Sequence, residues 1–116
     1  MGLVVIVDDE EVICEELLDC VEALGRSGRS FSNPRLGLAF LSETKEDVDV
    51  VFVDVMMPEM GGEKFISKAK KVTGTKTRYY LMSGVPKRDM DSISGLSESS
   101  FLQKPLDFAT IKKRLN

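Results

Sequence analysis

The chain contains no histidine at all. That absence excludes Ser-His-Asp and Cys-His nucleophile systems, histidine-ligated zinc and imidazole proton relays within these 116 residues. Cysteine is scarce as well: Cys14 and Cys20 lack CxxC spacing and fall on one expected helix, so they read as reduced thiols rather than as a disulfide. The longest apolar run, Leu3–Val7, is far short of the roughly 18 residues needed to span a bilayer. No signal-like basic segment precedes it, and a cytoplasmic location is the expectation. A G-x-x-x-x-G-K-[ST] loop is missing, which leaves nucleotide hydrolysis without support. Neither sign of charge dominates, since 16 Lys and Arg against 19 Asp and Glu leave a net −3, too mild to predict a nucleic-acid partner. Any chemistry must therefore come from carboxylates, hydroxyls, lysine or a bound hard cation.

What is present is ordinary globular composition, 42% apolar and 30% charged, in a length that suits one domain over 1–116. Leu3–Val7 is a β-branched run of the kind buried on both faces of a sheet. From 11 to 24, Ile13, Cys14, Leu17, Leu18, Val21 and Leu24 recur at helical steps, with acids in the first turn and Gly25 at the end. A weak strand at 29–32 leads to Asn33-Pro34, which suits the cap and first position of a second helix. Leu36, Ala39, Phe40 and Leu41 are expected to face inward from it. V-D-V-V-F-V at 48–53 is the strongest strand, Pro58, Gly61 and Gly62 mark a loop, and Phe65, Ile66 and Ala69 place a helix over 63–72. A strand at 77–82, a thinly apolar helix over 86–94 and a strand from Phe101 follow. The last helix is capped by Asp107 and packed through Phe108, Ile111 and Leu115. Such alternation predicts a single-domain α/β fold, a doubly wound five-stranded parallel sheet whose functional rim lies at the carboxyl ends of the strands.

At that rim the sequence is not random. Asp8, Asp9 and Glu10 follow the first strand, Asp54 ends the third, Ser83 the fourth and Lys104 the fifth. Singly these are helix-start acids, a turn serine and a surface lysine. Together they converge, although steps of 45, 29 and 21 residues separate Asp9, Asp54, Ser83 and Lys104. Two carboxylates about 5 Å apart repel by roughly 3 kcal/mol at an effective dielectric near 20, so something positive must sit among them. Lys104 supplies one charge, and hard oxygen ligands with open water positions suit Mg²⁺. A carboxylate beside such cations is a usable nucleophile toward a phosphoryl group, which makes Asp54 a candidate phosphoacceptor.

The segments V-V-I-V-D-D-E, V-F-V-D-V-M-M-P-E-M-G-G, L-M-S-G and F-L-Q-K-P resemble, in order and spacing, the receiver domain of two-component response regulators over essentially the whole chain. The resemblance implies a flavodoxin-like strand order 2-1-3-4-5 and a phosphorylation-dependent switch. In that reading Asp54 takes a phosphoryl group from the phosphohistidine of a sensor histidine kinase or phosphotransfer protein. Mg²⁺ is the implied cofactor, with Asp9 a direct ligand, Asp8 acting through water, and Asp54 and the backbone carbonyl of Met56 completing the set. Lys104, followed by a cis bond to Pro105, pairs with the acceptor; Ser83 is the switch hydroxyl and Phe101 the switch aromatic. The face built from 86–94, the fifth strand and the last helix would then change its affinity for an output partner that the residues do not name. The domain would catalyse its own phosphorylation and dephosphorylation without turning over a separate substrate. No nucleic-acid or membrane partner is expected, and a dimer formed on phosphorylation is left open.

Two other readings stay open: a receiver-like interaction module that never accepts phosphate, and an aspartyl-phosphate phosphatase of the haloacid-dehalogenase type. The second is disfavoured because Met56 stands where those enzymes place another aspartate. Met56 and Val85 are apolar neighbours of the expected phosphoryl pocket and cannot orient an attacking water, so slow loss of the phosphoryl group is expected. Lys64, Lys68, Lys70, Lys71, Lys76 and Arg78 form a basic cluster without aromatic interleaving, which reads as a solvated face.

Overall fold

The computed structural model describes residues 2–84 and 100–116; Val85 and the helix expected over 86–94 lie outside the described residues. Five parallel strands form one sheet in the order β2-β1-β3-β4-β5, from β1 (Leu3–Val7), β2 (Gly28–Phe31), β3 (Val48–Asp54), β4 (Arg78–Ser83) and β5 (Phe101–Gln103). The described helices are α1 (Glu11–Ala23), α2 (Pro34–Glu43), α3 (Gly62–Thr73) and α4 (Phe108–Leu115).

Residue alternation along the strands splits the core into two layers. Val5, Val7, Val51, Val53 and Leu81 meet Leu41 of α2 and Phe65, Ile66 and Ala69 of α3 on one face. Val4, Ile6, Val50, Phe52 and Met82 meet Cys14, Leu17 and Val21 of α1 and Ile111 and Leu115 of α4 on the other. Because both faces are covered, the central strands are apolar at nearly every position, which is why they read as continuous runs rather than alternating ones.

Three expectations about elements are corrected. Leu36 is 61% exposed, and Ala39 also faces solvent. The inward stripe of α2 is Pro34, Gly37 and Leu41, with Leu38 and Phe40 packed beside it. The reason is spatial: a Cβ at Gly37 would stand 3.1 Å from a Val7 methyl and 3.3 Å from the Phe65 ring, so α2 approaches the sheet through a residue with no side chain. Phe108, expected to pack α4, is 46% exposed, and Ile111 and Leu115 bury that helix. Strand two begins at Gly28 rather than at 29. The Asn33 cap is as expected, with its side-chain oxygen accepting from the Arg35 N–H at 2.8 Å.

Candidate functional site

The site is assembled where strands run out. Asp8 continues the parity of Ile6, and Asp54 that of Phe52, so both belong to the α1 side of the sheet. Asp8 is fully buried; its Oδ1 accepts the Glu10 N–H at 3.0 Å, and its Oδ2 lies 2.7 Å from Lys104 Nζ without a directed hydrogen bond. The same Nζ stands 3.1 Å from Asp54 Oδ1 and 3.9 Å from Oε1 of the exposed Glu10. Backbone bonds lock these ends together: the Lys104 N–H donates to the Ser83 carbonyl at 2.7 Å, and the Val55 N–H to that of Met82 at 2.8 Å. The Lys104–Pro105 peptide is cis. Gly62, the first residue of α3, passes so close that a Cβ there would be 2.5 Å from the Asp54 carbonyl oxygen.

Charge is concentrated and poorly hydrated here. Burial pushes the Asp54 carboxyl up from 3.8 to about 6, the negative charge of Asp8 adds to the rise, and Lys104 offsets part of it. Burial works against the charge of Lys104, but its contact with Asp8 and the attraction of Asp54 outweigh that, so the ammonium holds its proton more tightly than usual. Two buried acids and one ammonium leave an excess negative charge.

Asp8, Asp9 and Asp54 each offer a carboxylate oxygen, all within 4.8 Å of one another, with Asp9 exposed at the mouth. Ligands about 2.1 Å from a central Mg²⁺ lie roughly 3–4 Å apart, so small side-chain adjustments close this set around a hard cation. The donors are all oxygen, and the single ammonium of Lys104, already in contact with Asp8 and Asp54, leaves the local charge negative. The residues fit Mg²⁺.

Of the residues nominated from sequence, Asp8, Asp9, Asp54 and Lys104 come together, and Glu10 reaches their edge. Ser83 is buried at the end of β4, in register with Gln103. The Phe101 ring is buried in the α2–α3 layer, its backbone in register with Leu81. The Met56 side chain is 76% exposed. One participant was missed: the Cys14 thiol donates to the Asp8 carbonyl at 3.2 Å. Burial and the neighbouring Asp8 push that thiol up to about 11, so it serves as a neutral donor bracing Asp8. Its place on the inward stripe of α1, six residues after Asp8, was the available signal.

The sequence pattern described as the response regulator receiver domain matches residues 4–116. The regulatory protein VanRc of Enterococcus gallinarum is 28% identical over 108 residues, covering 90% of this chain; the chain spans 44% of that relative's length. A response regulator receiver domain protein of Clostridium thermocellum superposes with a TM-score of 0.84 at 22% identity, over 100% of this chain and 92% of that one. A CheY-like receiver domain from Methylobacillus flagellatus gives 0.81 at 20% identity, over 99% and 96%. At these identities the two structures speak for the fold, the flavodoxin-like order 2-1-3-4-5.

Proposed function

The chain belongs to the response regulator receiver domain family, and on that premise we propose that Asp54 accepts a phosphoryl group from the phosphohistidine of a sensor histidine kinase or phosphotransfer protein, with Asp8 and Asp9 holding Mg²⁺ beside it. The observation that carries this reading is the bridge made by Lys104, whose Nζ touches Asp8 and Asp54 at 2.7 and 3.1 Å. In the transfer, an Asp54 oxygen forms the new O–P bond as the P–N bond to the donor breaks, and the imidazole nitrogen keeps that electron pair. Lys104 is placed to neutralise the acceptor oxygen and the incoming phosphoryl oxygens together. Mg²⁺ held by Asp8 and Asp9 would supply further positive charge for the transferring phosphoryl group. Asp8, fixed by the Glu10 amide and braced by Cys14, keeps the cation side of the pocket in place. Ser83 and Phe101, on adjacent strands, then relay the change to an output partner.

The test is incubation with Mg²⁺ and acetyl phosphate followed by intact mass spectrometry. The wild type gains one phosphoryl group, and Asp54→Ala gains none. Labelling of the Asp54→Ala chain, or none on the wild type with Mg²⁺ bound, would sink the proposal.

A further inference from the structure

Helices α1 and α3 cover opposite faces of the sheet and carry opposite charge. The acids of α1, Glu11, Glu15, Glu16, Asp19 and Glu22, are all exposed, and that helix has no basic residue. On α3 the exposed groups Lys64, Lys68, Lys70 and Lys71 face a single acid, Glu63. Among the described residues, none of these acids or lysines is taken up in an ion pair. Helical positions three and four apart form one stripe. Glu15, Asp19 and Glu22 therefore make an acidic stripe, and Lys64, Lys68 and Lys71 a basic one, at identical steps of four and then three.

We propose that the lysine stripe of α3 is a docking surface for the acidic stripe of α1 on a second copy of this chain. The two stripes have the same length, about 10 Å at 1.5 Å per residue, and opposite sign. An antiparallel crossing sets Glu22 against Lys64 and Glu15 against Lys71, and it opposes the two helix dipoles. It leaves Asp19 about 1.5 Å along the axis from Lys68, because the reversed acid steps run three and then four, well within the reach of a lysine side chain. The same crossing brings the amino end of α1 to the carboxyl end of α3. Two exposed apolar side chains stand there, Val12 at 63% and Val72 at 47% exposure, and they would meet. Since the stripes lie on opposite faces, one contact uses α1 of one copy and α3 of the next. The association is heterologous and open-ended rather than a closed twofold dimer. It rests on exposed ion pairs, so it is weak and strongly screened by salt.

The experiment is a dilution series of the wild type followed by amide chemical shifts, at about 0.01 M and about 1 M salt, where the Debye length is about 30 and about 3 Å. Expected are concentration-dependent shifts confined to α1 and α3 at low salt and their loss at high salt. Lys64→Gln/Lys68→Gln/Lys71→Gln should abolish the shifts in both helices while circular dichroism shows the fold retained. Glu15→Gln/Asp19→Gln/Glu22→Gln should do the same. No concentration dependence at low salt, shifts centred on other elements, or shifts that survive either triple substitution would overturn the proposal. So would shifts of α3 alone on adding an acidic polymer when dilution produces none, because the occupant would then be a different polyanion.

Discussion

A carboxylate that titrates near pH 6 in the fold and near 3.8 outside it makes the folded chain the tighter proton binder. Asp54 therefore favours folding when protonated, and that contribution disappears as pH climbs through about 6. With the acid ionised, its 6% exposure and the nearby Asp8 leave it strained against its surroundings despite Lys104. Asp54→Asn should accordingly raise stability by about 1–2 kcal/mol above pH 6, allowing for partial compensation by Lys104, and the gain should shrink toward pH 4. Urea unfolding at the two pH values without divalent metal checks this, and a variant no more stable than wild type above pH 6 would contradict it. A second prediction concerns Met56, whose exposed thioether beside the pocket cannot position a water. In phosphorylated protein, Met56→Asn should shorten the phosphoryl lifetime on the order of tenfold, measured by mass spectrometry after removal of the donor. The convergence of Asp8, Asp9, Asp54 and Lys104 was legible in the sequence because each closes or follows a strand at a recognisable spacing. The raised titration of Asp54 and the Cys14 brace were not, since both depend on burial and neighbours that only the folded chain brings together.

At the scale of elements, two glycines show what a pattern of apolar residues conceals. Gly62 opens α3 against the backbone of Asp54, where a Cβ would lie 2.5 Å from the carbonyl oxygen and 2.6 Å from a Leu81 methyl. Gly62→Ala must push α3 and the end of β3 apart. It should cost about 1–3 kcal/mol, as overpacked cores do, and should also slow acetyl phosphate labelling because Asp54 moves with its own carbonyl. Thermal melting and the labelling rate read the two effects separately; a variant with wild-type values in both would disprove the close approach. Gly37 does for α2 what Gly62 does for α3, and its close approach to the sheet turns Leu36 and Ala39 toward solvent. Large apolar residues on a helix do not mark the position where a neighbour's ring takes the place of a side chain. Strands β1 and β3 had no such ambiguity, because residues buried on both faces leave a continuous β-branched signature that needs no partner to be recognised. The half-buried edge strand β2, Gly-Arg-Ser-Phe, carries no such run, and its start was displaced by one residue. Cap residues were equally legible: Asn33 and Asp107 accept local backbone N–H groups, bonds set by sequence neighbours alone.

Across the whole molecule, the reactive rim has a counterpart at the other end of the sheet. Arg26 is buried in the turn before β2, where it donates to the Leu115 carbonyl at 3.1 Å, to the Gly2 carbonyl at 3.1 Å, and to Asp49 Oδ2 at 2.7 Å. Arg78, at the start of β4, reaches the same Asp49 oxygen at 3.4 Å and the Arg114 carbonyl at 2.9 Å. One aspartate thus anchors two guanidinium groups that cap the last carbonyls of α4 and tie the starts of β1, β3 and β4 together. Asp49 and Asp54 stand on one strand, five residues or about 16 Å apart, so the clamp and the proposed phosphoacceptor are mechanically linked but chemically separate. Removing the shared acid leaves Arg26 buried with a charge and no counter-ion, whereas removing Arg26 leaves Asp49 still paired with Arg78. Asp49→Ala should therefore cost about 2–4 kcal/mol, a large part of a typical domain's stability, and Arg26→Met roughly half as much. At a temperature where both variants remain folded, Mg²⁺-dependent labelling of Asp54 should continue at close to the wild-type rate. Urea midpoints paired with labelling rates decide the matter. A reversed order of the two midpoints would mean that the clamp is held by the carbonyl bonds rather than by charge, and loss of labelling in folded Asp49→Ala would mean that the two ends of β3 are not independent.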